Sequence, residues 1–472
     1  MRSISIVRYA ALGVFVVTAG ASQADVPVSS IDTLVKEEIA KRHIPAASVA
    51  VVKDGKVILE KGYGLANIEL NTPATPSTVY EIGSITKQFT ATAVMMLMED
   101  GKLALDDPAS KYIEGLPDEW SAVTIRHLLT HTSGIKSYTN LPSFVPNFRK
   151  DYTEAEVVKL SYDIPLEFKP GEKMNYNNTG YFMLGMIIEK ASGQSYGDFL
   201  RDKIFSPLGM TSTRVNNFSD VIPNRASGYD WKNGTYKNAD YLSMTQPGGA
   251  GVLVSTVQDM VKWDAALNAG RLLKRSSQEM MWEPYKLSNG AISNYGFGWG
   301  ISNVPGHRGV AHGGGIPGFT TEIRRLLDDK LTVVVFTNAG NGQPAAIAQR
   351  IAEAYVPALK PKPAKTVFAK DPDPKLTDRL KGLFVDALAG KIDKTAFSPK
   401  MLEVLTGPDV AGSRKELNTM GELKSFQFIS QSGDDKRRAL LYKATLGKTS
   451  VEVSIALDEQ GIIVGMGVRP SD

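Results

Sequence analysis

Apolar and polar positions change period several times along this chain, and each change marks an element. Residues 30–42 carry apolar positions at helical spacing. Residues 46–52 and 57–63 alternate on either side of Lys53-Asp54-Gly55-Lys56. Asp-Gly between two alternating runs predicts a hairpin. Residues 84–100 read as a long amphipathic helix with Phe89, Ala93, Val94, Met96 and Leu97 on its apolar side, closed by Gly101. Shorter helices are expected over 124–130, 153–161 and 196–205, and a strongly apolar one over 179–191. A strand at 252–255 leads to a helix at 256–268, with Met260, Trp263 and Leu267 on one face. Tyr295-Gly296-Phe297-Gly298-Trp299 reads as a closely packed strand. A hairpin over 319–337 turns at Asp328-Asp329-Lys330, and a helix covers 344–355. Residues 137–152 are aromatic and irregular, as in a surface loop or lid. Residues 218–241 are polar with few periodic positions.

The pattern breaks at 357–366, where three prolines and three lysines stand between residues 357 and 365. That composition predicts a linker. Beyond it, residues 367–472 read as a small α+β domain, with helices over 376–388 and 400–405 and four strands over 425–430, 438–445, 451–457 and 462–468. Helices followed by a curved antiparallel sheet are similar in outline to cystatin-like or nuclear-transport-factor-like domains. No cluster of chemically useful residues stands out there.

At the other end, Arg2 and Arg8 precede an apolar run over 9–21, and Ser22-Gln23-Ala24 follows. This predicts a cleaved leader over 1–24, against the alternative of an N-terminal membrane anchor; the run is short of the ~20 residues a span needs. The main domain is then 25–356. The chain has no cysteine, which excludes disulfides and lipidation at cysteine. An exported, disulfide-free chain fits the bacterial periplasm. A net charge of +4 over 472 residues, with mixed signs, gives no sign of nucleic-acid binding. His43 and His127 have no acidic or histidine neighbour at ligand spacing, so no metal and no cofactor is expected.

The candidate chemistry starts at Tyr80-Glu81-Ile82-Gly83-Ser84-Ile85-Thr86-Lys87. Positions i and i+3 share a helix face, so a serine hydroxyl at a helix start would adjoin a lysine amine. That pair suits a nucleophile and its base. Lysine must be desolvated to serve, because its ordinary pKa is near ~10.4. A second Ser-x-x-Lys, Ser133–Lys136, lies at a helix end where serine caps or turns the chain; His131 would close the same turn. A phenol could carry the proton onward, and Tyr-x-Asn offers one beside an amide. It occurs at Tyr138–Asn140, Tyr176–Asn178 and Tyr236–Asn238; Tyr176 is best placed, on a turn before an apolar helix. The third element is His312-Gly313-Gly314-Gly315, where glycines let a substrate approach the backbone and an N–H could join that of Ser84 in an oxyanion hole. His307-Arg308-Gly309 is a competing frame, and Tyr295 and Trp299 either line the cleft or pack beside it.

Ser84-Ile85-Thr86-Lys87, Tyr176-Asn177-Asn178 and His312-Gly313-Gly314, in that order, resemble the three motifs of the serine β-lactamase-related family. That family includes class C β-lactamases, D-alanyl-D-alanine carboxypeptidases, D-aminopeptidases and family VIII esterases. Leu128–Gly134, Pro170-Gly171, Thr179-Gly180-Tyr181 and Pro317-Gly318-Phe319 are similar to it as well, so the likeness covers about residues 30–355. The resemblance implies an α+β fold, an antiparallel sheet flanked by helices beside a helical subdomain. It implies Ser84 as acylated nucleophile, Lys87 as base and Tyr176 as acid to the leaving group. It further implies substrate contacts from Asn178, His312, Gly313 and Gly314, with the Gly315 N–H completing the oxyanion hole. His312 stands where penicillin-recognising members hold lysine, and Gly313 lacks a hydroxyl common in β-lactamases. Both departures favour an ester or D-amino-acid peptide substrate, including peptidoglycan-derived ones, with little β-lactam hydrolysis. The competing expectation is a slow penicillin-binding protein, a sensor or scaffold of the cell envelope.

Overall fold

The Asp54-Gly55 turn shows how directly local sequence builds the central sheet. Both residues have positive φ, 51° and 75°, the backbone of the type I′ turn that Asp-Gly favours. It joins β1 (Ala46–Lys53) to β2 (Lys56–Asn67). The structure, a computed structural model, describes residues 26–360, 368–434 and 437–470. The expected leader and residues 361–367 lie outside the described residues. Residue contacts divide the chain into two units, Met1–Lys360 and Pro361–Asp472.

In the first unit, β1 and β2 join β3 (Gly300–Val304), β4 (His307–Ile316), β5 (Phe319–Leu326) and β6 (Leu331–Thr337) in one antiparallel sheet. Its order is β3-β4-β5-β6-β1-β2, with the short strand Thr72–Pro73 at the far edge. The sheet is covered on both faces. Val49, Val51, Val333 and Val335 pack with Ile31 and Val35 of α1 (Val28–Arg42) and with Ile347 and Ile351 of a C-terminal helix, Pro344–Tyr355. Ala46, Ala50, Val334 and Phe336 face the larger core on the other side. Double coverage explains why β1, expected to alternate, and β6 are instead buried along almost their whole length.

The larger core encloses α2 (Thr86–Glu99), α3 (Asn178–Ser192) and α4 (Val257–Ala269). The expectation of an amphipathic helix after Ser84 is overturned. Thr86 to Met95 are buried without interruption, and Met96, assigned to the apolar side, is only partly buried. Most of the polar groups are paired inside: Thr92 donates to the Gln88 carbonyl at 2.8 Å, Thr90 to that of Gly249 at 2.7 Å, and Trp263 Nε1 to Gln88 Oε1 at 3.0 Å, while Gln88 Nε2 has no hydrogen-bond partner. Threonine hydroxyls that bond the backbone can be buried without the cost of an unpaired polar group.

Three further expectations change. Residues 295–299 form no strand but an irregular loop leading into β3; Gly298 has φ 75°, and a Cβ there would stand 2.6 Å from the Lys87 carbonyl. The 218–241 stretch contains a hairpin, Tyr229–Lys232 with Thr235–Asn238. Pro357–Leu359 forms a short helical turn, and Leu359 packs on the first unit's core, so the expected linker begins later than residue 357.

In the second unit, helices Pro374–Leu388, Pro399–Thr406 and Pro408–Thr419 precede a four-stranded antiparallel meander from Leu423 to Pro470. The last of these helices was absent from the sequence reading. Among the described residues, no helix is long and apolar enough to cross a membrane.

Candidate active site

Ser84 lies in a one-turn 3₁₀ helix, Gly83–Ile85, directly ahead of α2. Gly83 has φ 50°, and a Cβ on it would stand 2.9 Å from the Gly315 nitrogen. Only glycine lets this turn lie against the third motif. One turn on, the buried Lys87 amine sits 3.0 Å from Ser84 Oγ, 2.8 Å from Asn178 Oδ1 and 2.8 Å from the Ala250 carbonyl. Burial drives the Lys87 pKa well below its ordinary value. A neutral amine has two N–H bonds and one lone pair. Two of its three neighbours are pure acceptors, so the lone pair is left for the Ser84 O–H. Asn178 is held in that role because its Nδ2 donates to Thr139 Oγ1 at 3.0 Å.

Tyr176 is placed by the residues around it. Asn177 caps α3 by accepting the Gly180 N–H at 2.8 Å, and its own N–H donates to His131 Nδ1 at 3.0 Å. The His131 ring packs on the Tyr176 ring with centroids 4.3 Å apart. The Tyr176 hydroxyl contacts the Ser84 side chain, and burial raises its pKa, so it stays a proton donor. The other Tyr-x-Asn matches are elsewhere occupied. Tyr138 borders the same cavity but donates to the Gln246 carbonyl at 2.7 Å, and Tyr236 packs on Trp231 in the hairpin. Ser133 caps a turn by accepting the Ile135 N–H, and Lys136 pairs with Glu167. His307 pairs with Asp329.

The ladder between β3 and β4 stops at Gly300 opposite Ala311. Beyond it, β4 presents its edge to residues 82–84. A Cβ on Gly314 would stand 2.0 Å from the Ile82 carbonyl, so this glycine permits the close approach. Gly315 pairs with Thr320, next to the Ile316–Phe319 pair that closes a two-residue turn. Antiparallel alternation turns the Gly315 N–H away from β5, toward Gly83.

A cavity of about 240 Å³ opens here, bordered by Ser84, Asn178, Gly315, Phe144, Phe148 and Gln246 among others. His312, Gly313 and Gly314 do not line it. His312 is buried behind it: Nδ1 lies 2.6 Å from the Gly313 carbonyl and Nε2 2.8 Å from the Tyr295 hydroxyl. Burial, with Lys87 nearby, pushes the His312 pKa down to about 3, so the ring is neutral. The stretch 137–152, expected as a surface loop or lid, is a loop tied to Gln246, whose Nε2 donates to the carbonyls of Asn147, Phe148 and Lys150.

The model of the beta-lactamase family matches residues 31–356. The chain belongs to the beta-lactamase family. It is 34% identical over 319 residues to "Penicillin-binding protein 4*" of Bacillus subtilis (strain 168), covering 64% of this chain and 70% of that protein. An octameric penicillin-binding protein homologue from Pyrococcus abyssi superposes with TM-score 0.62 at 26% identity, over 94% of this chain and all of that one. The D-amino acid amidase from Ochrobactrum anthropi SV3 gives TM-score 0.61 at 28% identity, over 71% of this chain and 98% of that one. This beta-lactamase-family chain is thus a serine hydrolase with a penicillin-binding-protein-like α+β fold.

Sequence reasoning missed the Ala250 carbonyl, Thr139 and the Tyr295–His312 bond. The first was signalled by Gly248-Gly249-Ala250-Gly251. A Cβ on Gly249 would meet the Tyr181 carbonyl at 2.6 Å, so only glycine lets that turn reach Lys87. Thr139 carried no signal, because its partner lies 39 residues away.

Proposed function

We propose that this chain is an exported acyl hydrolase that works through an acyl-enzyme at Ser84, on esters or D-amino-acid amides and peptides. One observation carries the reading: a buried Lys87 amine whose two acceptor neighbours leave its lone pair for Ser84. Lys87 takes the Ser84 proton as Oγ bonds to the substrate carbonyl carbon. The N–H groups of Ser84 and Gly315 receive the developing oxyanion. Tyr176 gives a proton to the leaving oxygen or nitrogen as its bond to carbon breaks. In the second half, water loses a proton through Tyr176 and Lys87, attacks the ester carbon, and Ser84 Oγ recovers its proton.

A neutral, buried His312 offers no cation to a penicillin carboxylate, which supports weak β-lactam turnover. The Ochrobactrum anthropi amidase supports a D-amino-acid amide substrate. The basic and apolar N-terminal stretch supports export to the periplasm, where peptidoglycan fragments supply such bonds.

Intact-mass spectrometry tests this reading with a fluorophosphonate, a 4-nitrophenyl ester and a penicillin, with Ser84→Ala as control. The expected result is a Ser84-dependent phosphonate adduct, ester turnover and a short-lived or absent penicillin adduct. A long-lived penicillin adduct would favour a slow penicillin-binding sensor, and no adduct at Ser84 with any reagent would overturn the nucleophile.

A further inference from the structure

A second cavity of about 250 Å³ adjoins the Ser84 cavity and shares Leu242 and Pro317 with it. Arg225, Glu81 and Asp240 line it, with Phe218 and Tyr241. Those two rings pack at 4.7 Å between centroids, tilted by 39°, and remain 48% and 38% exposed, an apolar lip open to solvent. The Arg225 guanidinium lies 4.8 Å over Phe218, and its Nη1 donates to the Asn217 carbonyl at 3.0 Å. Its Nη2 is buried and makes no hydrogen bond, but it forms an ion pair with Glu81 Oε1 at 3.6 Å. No step of the proposed mechanism uses these groups.

A guanidinium in a cleft whose Nη2 has an ion-pair partner but no hydrogen bond is suited to one chemistry above others, a close grip on a carboxylate that replaces the looser contact with Glu81. The direction of the cleft says which part of a substrate carries it. The leaving group must face Tyr176, which lines neither cavity. An acyl arm directed away from Tyr176 would pass Leu242 and Pro317, which both cavities share. We propose that the Arg225 cavity is an acyl-arm subsite, selecting substrates whose acyl chain ends in a carboxylate. The aliphatic part of the arm would lie against Phe218 and Phe319, and the carboxylate would take Nη2 from Glu81. This rests on the acyl-enzyme reading above.

The test compares mono-4-nitrophenyl esters of glutaric, adipic and suberic acids with the same compounds methylated at the free carboxyl. A fold defect lowers both members of a pair and cancels in their ratio. The expected result is a preference of about tenfold in kcat/KM for the free acid at one chain length, as for one charge-assisted pair. Arg225→Gln should bring the ratio to about one, and Glu81→Gln, which removes the competing carboxylate, should raise it. A ratio near one in the unaltered protein, or a ratio unmoved by Arg225→Gln, overturns the subsite. Calorimetry on Ser84→Ala keeps this separate from the hydrolase reading. If adipate binds there and Arg225→Gln abolishes the binding, the subsite stands even where no ester is turned over. If adipate binding is undetectable or survives Arg225→Gln, the subsite fails although turnover at Ser84 persists.

Discussion

The two units each contain an antiparallel sheet with helices beside it, yet among the described residues only the first buries a lysine and histidines at its centre. In the second unit, Val451, Val453, Ile455 and Leu457 point into the core, while Ser450, Glu452 and Ser454 alternate outward, partly or fully exposed. A sheet that keeps one face toward solvent has nowhere to hold a lysine away from water. In the first unit, cores on both faces of the sheet and a helical layer around α2 put Lys87 out of solvent's reach. Desolvation can then do what contact with another charge would otherwise do, and lower an amine's pKa. The lesson is that the depth of the surrounding layers, more than the presence of a sheet, makes the site.

Substitutions sharpen the contrast in order of size. Lys87→Met should lower kcat/KM for a 4-nitrophenyl ester by about 10³-fold or more, read by steady-state kinetics, since base and nucleophile act as a unit. Tyr176→Phe should cost on the order of 10²-fold, and more on an amide than on an activated ester, whose leaving group needs no proton. Acid stability should also separate the units. Buried His312 is neutral in the folded state, with its pKa about 3 against an ordinary 6.5, and His131 is shifted in the same direction. Between those values the unfolded chain binds the proton and the folded chain does not. The stabilisation is therefore present above pH 6.5 and is lost as pH falls toward 3. Urea midpoints against pH should fall more steeply for the unaltered protein than for His312→Asn, by up to about 1.4 kcal/mol per pH unit. Phe384→Ala, in the second unit's core, should cost that unit about 3–5 kcal/mol by hydrogen exchange while ester kcat holds within about twofold. A large fall in kcat would break the separation of roles.

The same contrast decides what the sequence reveals. The middle two strands of the second unit alternate cleanly because one face meets solvent, and all four strands are legible to within four residues of their ends. Their function is not, because no motif marks a site there. Around Ser84 the reverse holds. Ser84, Lys87 and Tyr176 are proposed from residue type and order and Gly315 from the family resemblance, and the structure brings all four together, but α2 is misjudged as amphipathic because its threonines hide their polarity in backbone hydrogen bonds. His312 is identified as a motif residue, yet nothing local shows that its ring turns to Tyr295. The 295–299 loop is taken for a strand because glycines alternate with aromatics there for another reason, the close approach of Gly298 to α2. Contacts between distant segments carry no local period.

The central claim is a neutral Lys87 amine in the resting protein. Its most direct test is the titration of the Lys87 side chain by NMR on selectively labelled protein, assigned with Lys87→Met. The account predicts an inflection well below the ordinary ~10.4 of lysine, matched by the rising limb of kcat/KM against pH. An inflection at or above ~10.4 would leave Lys87 a cation at neutral pH and contradict its role as the base.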